Sequence, residues 1–182
     1  MNNSMQLDVK LYPADVVQKQ IYSILSAWRM AEKDADITAN VMVETDLRGV
    51  DSHGINMLRQ YEETKRRGAL NLTPNTKSIR DRATTALIDA DRGLGHPVSV
   101  KAMELAIEKA KTYDIGTVCV RNSHHFGAAG YYAELAAKQG MIGIVTTSTR
   151  GISMVPTNGT QPVLGTNPFA FSAPAGKYPP LV

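Results

Sequence analysis

Three of the chain's four histidines lie in two turns that each close on a glycine, Asp51-Ser52-His53-Gly54 and Ser123-His124-His125-Phe126-Gly127. Imidazole has an ordinary pKa close to neutrality, so two such rings facing one cleft can hand a proton to a substrate and take it back. Each turn falls where one predicted element gives way to the next, the kind of place where a rigid frame presents reactive groups. Taken singly, a loop histidine more often serves the fold than the chemistry. Asp51, Ser52 and His53 cannot form a hydrolytic triad, because consecutive side chains diverge. His53, Met57 and Tyr61 are spaced i, i+4, i+8, which on one helix puts an imidazole, a thioether and a phenol on a shared face. Ser52 either caps that helix or offers its hydroxyl to a ligand. No His/Cys/Asp cluster at zinc spacing accompanies His124-His125, so no metal is expected.

Two glycine-rich turns remain. Gly93-Leu94-Gly95 sits between a strand and a helix, the setting of a dinucleotide fingerprint, but Val98 holds the third glycine position and the next strand ends at Arg121 instead of an acid. It therefore reads as a tight turn. Gly165-Thr166-Asn167-Pro168 packs a hydroxyl, an amide and a fixed φ into one bend that can present donors to a polar ligand.

The frame for these turns begins with a helix over 14–34, marked by Val17, Ile21, Ile24, Leu25 and Trp28 at helical spacing. Asp36 reads as the cap of a second helix, 37–48, stopped by Gly49, and Ser52 as the cap of a third that runs to Arg67 and stops at Gly68. A strand over 84–89, a helix over 97–112, a strand over 116–120, a helix over 128–138 and a buried strand over 142–147 follow, with Phe169-Ala170-Phe171 as a further strand. Such alternation implies α/β layers. We place a boundary after residue 73, dividing a helical subdomain, 1–73, from an α/β domain, 74–182.

Composition narrows the class. The net charge of +3 is scattered apart from Lys65-Arg66-Arg67 closing a helix, where the helix dipole favours cations, so nucleic acid is not expected. Residues 151–176 carry no charge, but Pro156, Pro162, Pro168 and Pro174 break them up, and no membrane helix is expected there. Residues 1–10 lack a secretory core. The single cysteine, Cys119, reads as a buried small hydrophobe, and a reducing cytoplasm fits.

Taken together, residues 48–54 (Arg-Gly-Val-Asp-Ser-His-Gly), 122–127 (Asn-Ser-His-His-Phe-Gly) and 165–169 (Gly-Thr-Asn-Pro-Phe) strongly resemble the malate/L-lactate dehydrogenase family of non-Rossmann oxidoreductases, over roughly 14–180. The resemblance implies reversible hydride transfer between NAD or NADP and a small 2-hydroxy or 2-oxo acid. It implies His125 as acid/base with His53 orienting the substrate, or the reverse, and Ser52 and Tyr61 on the substrate oxygens. Thr149 and Gly165, Thr166 and Asn167 would line the cofactor site, and a homodimer is implied. Many relatives carry an arginine at the position of Met57 to pair a substrate carboxylate. Family chains also run on past the point where this one stops. The cofactor domain is therefore expected to be incomplete at its C-terminus, with a non-catalytic fragment, or a subunit completed by a second polypeptide, as the alternative.

Overall fold

A computed structural model describes residues 10–149 and 151–182. Most of the N-terminal stretch read as lacking a secretory core lies outside these residues. The first half is helical: α1 Ala14–Ala27, α2 Glu32–Leu47, a 3-10 turn Ile55–Met57 and α3 Leu58–Arg66. The second half carries β1 Lys77–Asp81, β2 Thr85–Asp89, α4 Gly95–Tyr113, β3 Thr117–Arg121, α5 Ala129–Ala137, β4 Gly143–Thr146, β5 Phe169–Ala175 and β6 Tyr178–Leu181. The mixed α/β class is as expected.

The first helix is shorter than its periodicity predicts, because it ends in a Schellman turn with arginine in the left-handed position. Arg29 has φ 66°, its amide donates to the Ser26 carbonyl at 2.8 Å, and the Met30 amide donates to the Leu25 carbonyl at 3.1 Å. Leu25 and Met30 are both buried in the same cluster, the apolar contact that accompanies this turn. The second helix consequently starts at Glu32, and Asp36 lies inside it instead of capping it. Gly49 and Gly68 take left-handed φ of 73° and 67° and end α2 and α3 as expected.

Helix α2 buries Ala35, Ala39, Val41, Met42 and Val43, so it runs through the interior. Ile21 and Leu25 of α1, Met42 and Val43 of α2, and Leu58 and Tyr61 of α3 form one core with Leu70, Leu72 and Leu94. Each fully buried aliphatic side chain there contributes about 1.5–3 kcal/mol. A second, smaller core joins Ile88 and Ala90 to Val98 and Ala102 of α4.

Strands β1, β2 and β3 form a mixed sheet, β1 antiparallel to β2 and β2 parallel to β3 through the α4 crossover. The sequence gives no sign of β1, since all five of its residues are exposed and two are basic, as suits an edge. Cys119 is exposed, against expectation: alternation along β3 turns Val118 and Val120 toward α4 and Cys119 away from it. Strands β4, β5 and β6 form an antiparallel sheet. Strand β6, absent from the sequence reading, holds Pro179 and Pro180 and lies at the sheet edge, where missing amide donors are tolerated. Strand β4 is not buried on both sides as read: Gly143 is buried, while Ile144 sits 56% exposed beside Phe171, with Phe169 68% exposed on the same face.

Arg29 is exposed, so glycine in its place removes left-handed strain and costs no packing. R29G relieves about 1–2 kcal/mol of left-handed strain against about 0.4–1 kcal/mol of added freedom in the unfolded chain, so unfolding free energy is expected to rise by about 0.5–1 kcal/mol, read as a higher urea midpoint at unchanged slope; a lower midpoint contradicts the capping assignment.

Candidate active site

The two histidine turns, distant in sequence, meet. The rings of His53 and His125 lie 5.1 Å apart, centre to centre, tilted by 44°. The Tyr61 hydroxyl lies 2.7 Å from Nδ1 of His125, and the Ser52 hydroxyl 2.8 Å from Nδ1 of His53. Ser52 therefore caps no helix; α3 starts six residues later, after the 3-10 turn, with no side-chain cap among the described residues. His53 precedes the helical segment, so the shared helix face is realised by Met57 and Tyr61 alone. Both turn inward, Met57 packing against the large core and Tyr61 lying 3% exposed within it. The Tyr61 hydroxyl faces His125, not solvent.

Each turn is held by a neighbour that fits only because a side chain is missing. At the first, Oδ2 of Asp46 on α2 accepts from the Ile55 amide at 2.9 Å. A Cβ on Gly54 would lie 1.7 Å from the other carboxylate oxygen. Burial raises the Asp46 pKa, the Ile55 bond opposes that rise, and Asp51 adds to it.

At the second turn the Gly93-Leu94-Gly95 bend has its use. The His124 amide donates to the Gly93 carbonyl at 2.9 Å, and the Gly95 amide donates to the His125 carbonyl at 2.9 Å. A Cβ at Gly95 would sit 2.4 Å from the Phe126 Cβ and 2.6 Å from the His124 carbonyl oxygen. The glycine pair thus seats the histidine turn, a packing role with no phosphate in it. Nε2 of His124 donates to the Ala69 carbonyl beyond α3 at 2.9 Å, which spends that histidine on structure. The Tyr132 hydroxyl of α5 donates to the Phe126 carbonyl, and the two rings stack 5.2 Å apart.

Burial, with His53 nearby adding to it, lowers the His125 pKa to about 4, so the ring is neutral at physiological pH. Burial pushes the Tyr61 phenol well up, keeping it protonated. The Gly127 amide also points at Nδ1 of His125, at 3.4 Å, which favours the tautomer with its proton on Nε2.

The other polar turn is knitted to Thr149. The Thr149 amide donates to Oδ1 of Asn167 at 3.1 Å, and the Thr166 amide donates to the Thr149 hydroxyl at 3.1 Å. Gly165 packs so closely on that hydroxyl that a Cβ would lie 1.9 Å from it. Thr149, Thr166 and Asn167 stay exposed, an uncharged set of hydroxyl and amide groups. Among the described residues, no group of three or more His, Cys, Asp or Glu side chains is placed to hold a metal ion. No helix there is long and apolar enough to cross a membrane.

The residue missed in the sequence is the fourth histidine, His96. Its ring is fully buried against the rings of Tyr61 and His125. Its one signal is a titratable residue directly after the Gly93-Leu94-Gly95 bend.

A family model for malate/L-lactate dehydrogenase matches residues 12–182. The chain belongs to the malate/L-lactate dehydrogenase family. It is 45% identical over 170 residues to a malate dehydrogenase of Pyrococcus abyssi, covering 93% of this chain and 47% of that protein. It is 47% identical over 161 residues to an L-sulfolactate dehydrogenase of Methanocaldococcus jannaschii, covering 88% and 46%. The solved malate dehydrogenase of Pyrococcus horikoshii superposes with a TM-score of 0.86 at 45% identity, over 92% of this chain and 48% of that one. The chain thus spans about half the length of the relatives it matches.

A methyl group at Gly95 has only backbone and the Phe126 Cβ to push against. G95A is expected to cost about 1–3 kcal/mol and to separate His125 from Tyr61, seen as loss of contacts between their ring protons in NMR spectra; preserved ring contacts in folded G95A contradict the seating role.

Proposed function

We propose that the protein is an oxidoreductase that moves a hydride reversibly between NAD or NADP and the hydroxyl-bearing carbon of a small 2-hydroxy acid, with the 2-oxo acid as the oxidised partner. The observation that carries this reading is the convergence of His53 and His125, with Tyr61 on Nδ1 of His125. Names of relatives point the same way, since they include malate and L-sulfolactate dehydrogenases.

His125 is the acid/base. With the Tyr61 hydroxyl donating into Nδ1, Nε2 carries the ring proton and hydrogen-bonds the oxygen of a 2-oxo acid. With the ring proton on Nδ1 and donated to the Tyr61 oxygen, Nε2 presents the lone pair that takes the hydroxyl proton of a 2-hydroxy acid, leaving an imidazolium; in reduction that imidazolium returns its Nε2 proton to the alkoxide and the ring is neutral again. A phenol both donates and accepts, so Tyr61 serves either tautomer and acts through His125. His53, held by Ser52, orients the substrate oxygens. An anionic substrate beside His125 raises its proton affinity, which suits reduction, where the developing alkoxide needs a proton. A nicotinamide bound here would supply the hydride chemistry. Thr149, Gly165, Thr166 and Asn167 would hold that cofactor, since exposed uncharged hydroxyl and amide groups suit ribose and phosphate oxygens. Position 57 lends no arginine to a substrate carboxylate, and Met57 packs on the core.

The exposed row of Ile144, Phe169 and Phe171 on one face of the second sheet, with Ile142 exposed just ahead of β4, favours an assembly, and we take it to be a homodimer. A chain with one cysteine suits the reducing cytoplasm.

The test is an assay of small 2-oxo and 2-hydroxy acids with each cofactor. In the oxidative direction the free enzyme needs unprotonated His125, so kcat/KM is expected to stay level through neutral pH and to fall only as pH drops through about 4. An acid limb near the ordinary histidine value contradicts that assignment. H125N is expected to lower kcat by about 10²–10⁴ with a smaller change in KM; near-normal turnover in H125N overturns His125 as the acid/base, and near-normal turnover in H53A as well overturns a histidine acid/base altogether.

A further inference from the structure

His96 stands at the start of α4 with no exposed surface, and among the described residues neither ring nitrogen has a hydrogen-bond partner. An unsatisfied buried polar group costs about 1–3 kcal/mol, so an apolar side chain would serve packing alone better. The ring's surroundings account for it. Its centre lies 5.8 Å from that of Tyr61 and 6.3 Å from that of His125, with interplanar angles of 73° at both contacts. Tyr61 and His125 are themselves 5.9 Å apart, so the three rings form a nearly equilateral triangle. His96 touches both members of the Tyr61–His125 hydrogen bond and bonds to neither. It is also wedged against Gly127, which closes the histidine turn: a Cβ there would lie 3.2 Å from Nε2 of His96. Burial, then the proximity of His125, lowers its pKa to about 3, so it adds no charge to the site.

We propose that His96 is the positioning residue of this site: its uncharged ring forms the wall behind Tyr61 and His125, holds the hydroxyl against Nδ1, and keeps water from that side of His125. The role rests on the reading of His125 as the acid/base, but the arrangement can be tested without turnover. The titratable groups that face His125 are His53 from the turn after α2, Tyr61 from α3 and His96 from α4, with Tyr132 of α5 close to Tyr61. Of these, His96 and Tyr61 form the dry side.

The experiment is an NMR titration of labelled histidine rings in the 182-residue chain, without substrate or cofactor. Wild-type His125 is expected to titrate near 4. In H96A, water reaches the ring, and the His125 midpoint rises by about one pH unit or more. In H96Q, which has no ring but keeps a polar side chain, the midpoint moves in the same direction. A purely structural His96 would lower stability and leave the midpoint where it was, so an unchanged His125 midpoint in folded H96A or folded H96Q overturns the proposal. With turnover, kcat falls more than KM rises and the acid limb of the oxidative profile moves up with the midpoint. A chain that oxidises no hydroxy acid would sink the dehydrogenase reading and leave the midpoints to decide the role of His96.

Discussion

Between the backbone of Gly95 and the histidine turn there is no room for a side chain, and the rest of the site depends on that approach. Paired backbone hydrogen bonds between 93–95 and 124–125 form only at this distance. Once seated, the turn is tied to the end of α3 through His124 and to α5 through the Phe126 carbonyl. Three helices therefore fix the His125 ring, and the ring has little freedom of its own. The first turn is anchored in the same manner from α2, where the Asp46 carboxylate occupies the space that a Gly54 side chain would need. Neither histidine is placed by its own helix; both are placed by glycines that let another element come close.

The same packing sets the electrostatics. Tyr61 belongs to the large apolar core, so the partner of His125 Nδ1 is a phenol that burial keeps protonated. A buried imidazole beside a second imidazole is held neutral, which leaves it as a base that does not compete for protons with solvent near pH 7. A site of this kind handles an exchangeable proton without carrying permanent charge, and an incoming anion can retune it. By contrast, the polar turn at 165–167 is exposed and folded on Thr149, on the sheet whose other elements present Phe169, Phe171 and Ile144 outward.

Much of the frame was legible in the sequence because local chemistry decided it. Gly49, Gly68 and Gly140 end helices in left-handed conformations that glycine adopts without cost, and β2, β3 and β4 are apolar runs bounded by turns. The break after α1 was not legible, since Arg29 carries the left-handed turn and the reward is the contact of Leu25 with Met30, a tertiary effect. Strand β1 was hidden by its charge, and β6 by its two prolines, because an edge strand needs neither apolar residues nor all its amides. In the site, the meeting of His53 and His125 was anticipated from motifs that occur in register. The hydroxyl of Tyr61 pointing to His125, the seating role of Gly95 and the burial of His96 were not, because each is a contact between segments far apart in the chain.

The site depends on the closeness of three rings: His53, His125 and Tyr61. The most direct measurement is a set of through-space NMR contacts among their ring protons in selectively labelled chain at neutral pH. Cross-peaks from His125 to both His53 and Tyr61 are predicted. A folded protein in which His125 shows contacts to neither ring would mean that the two histidine turns do not meet.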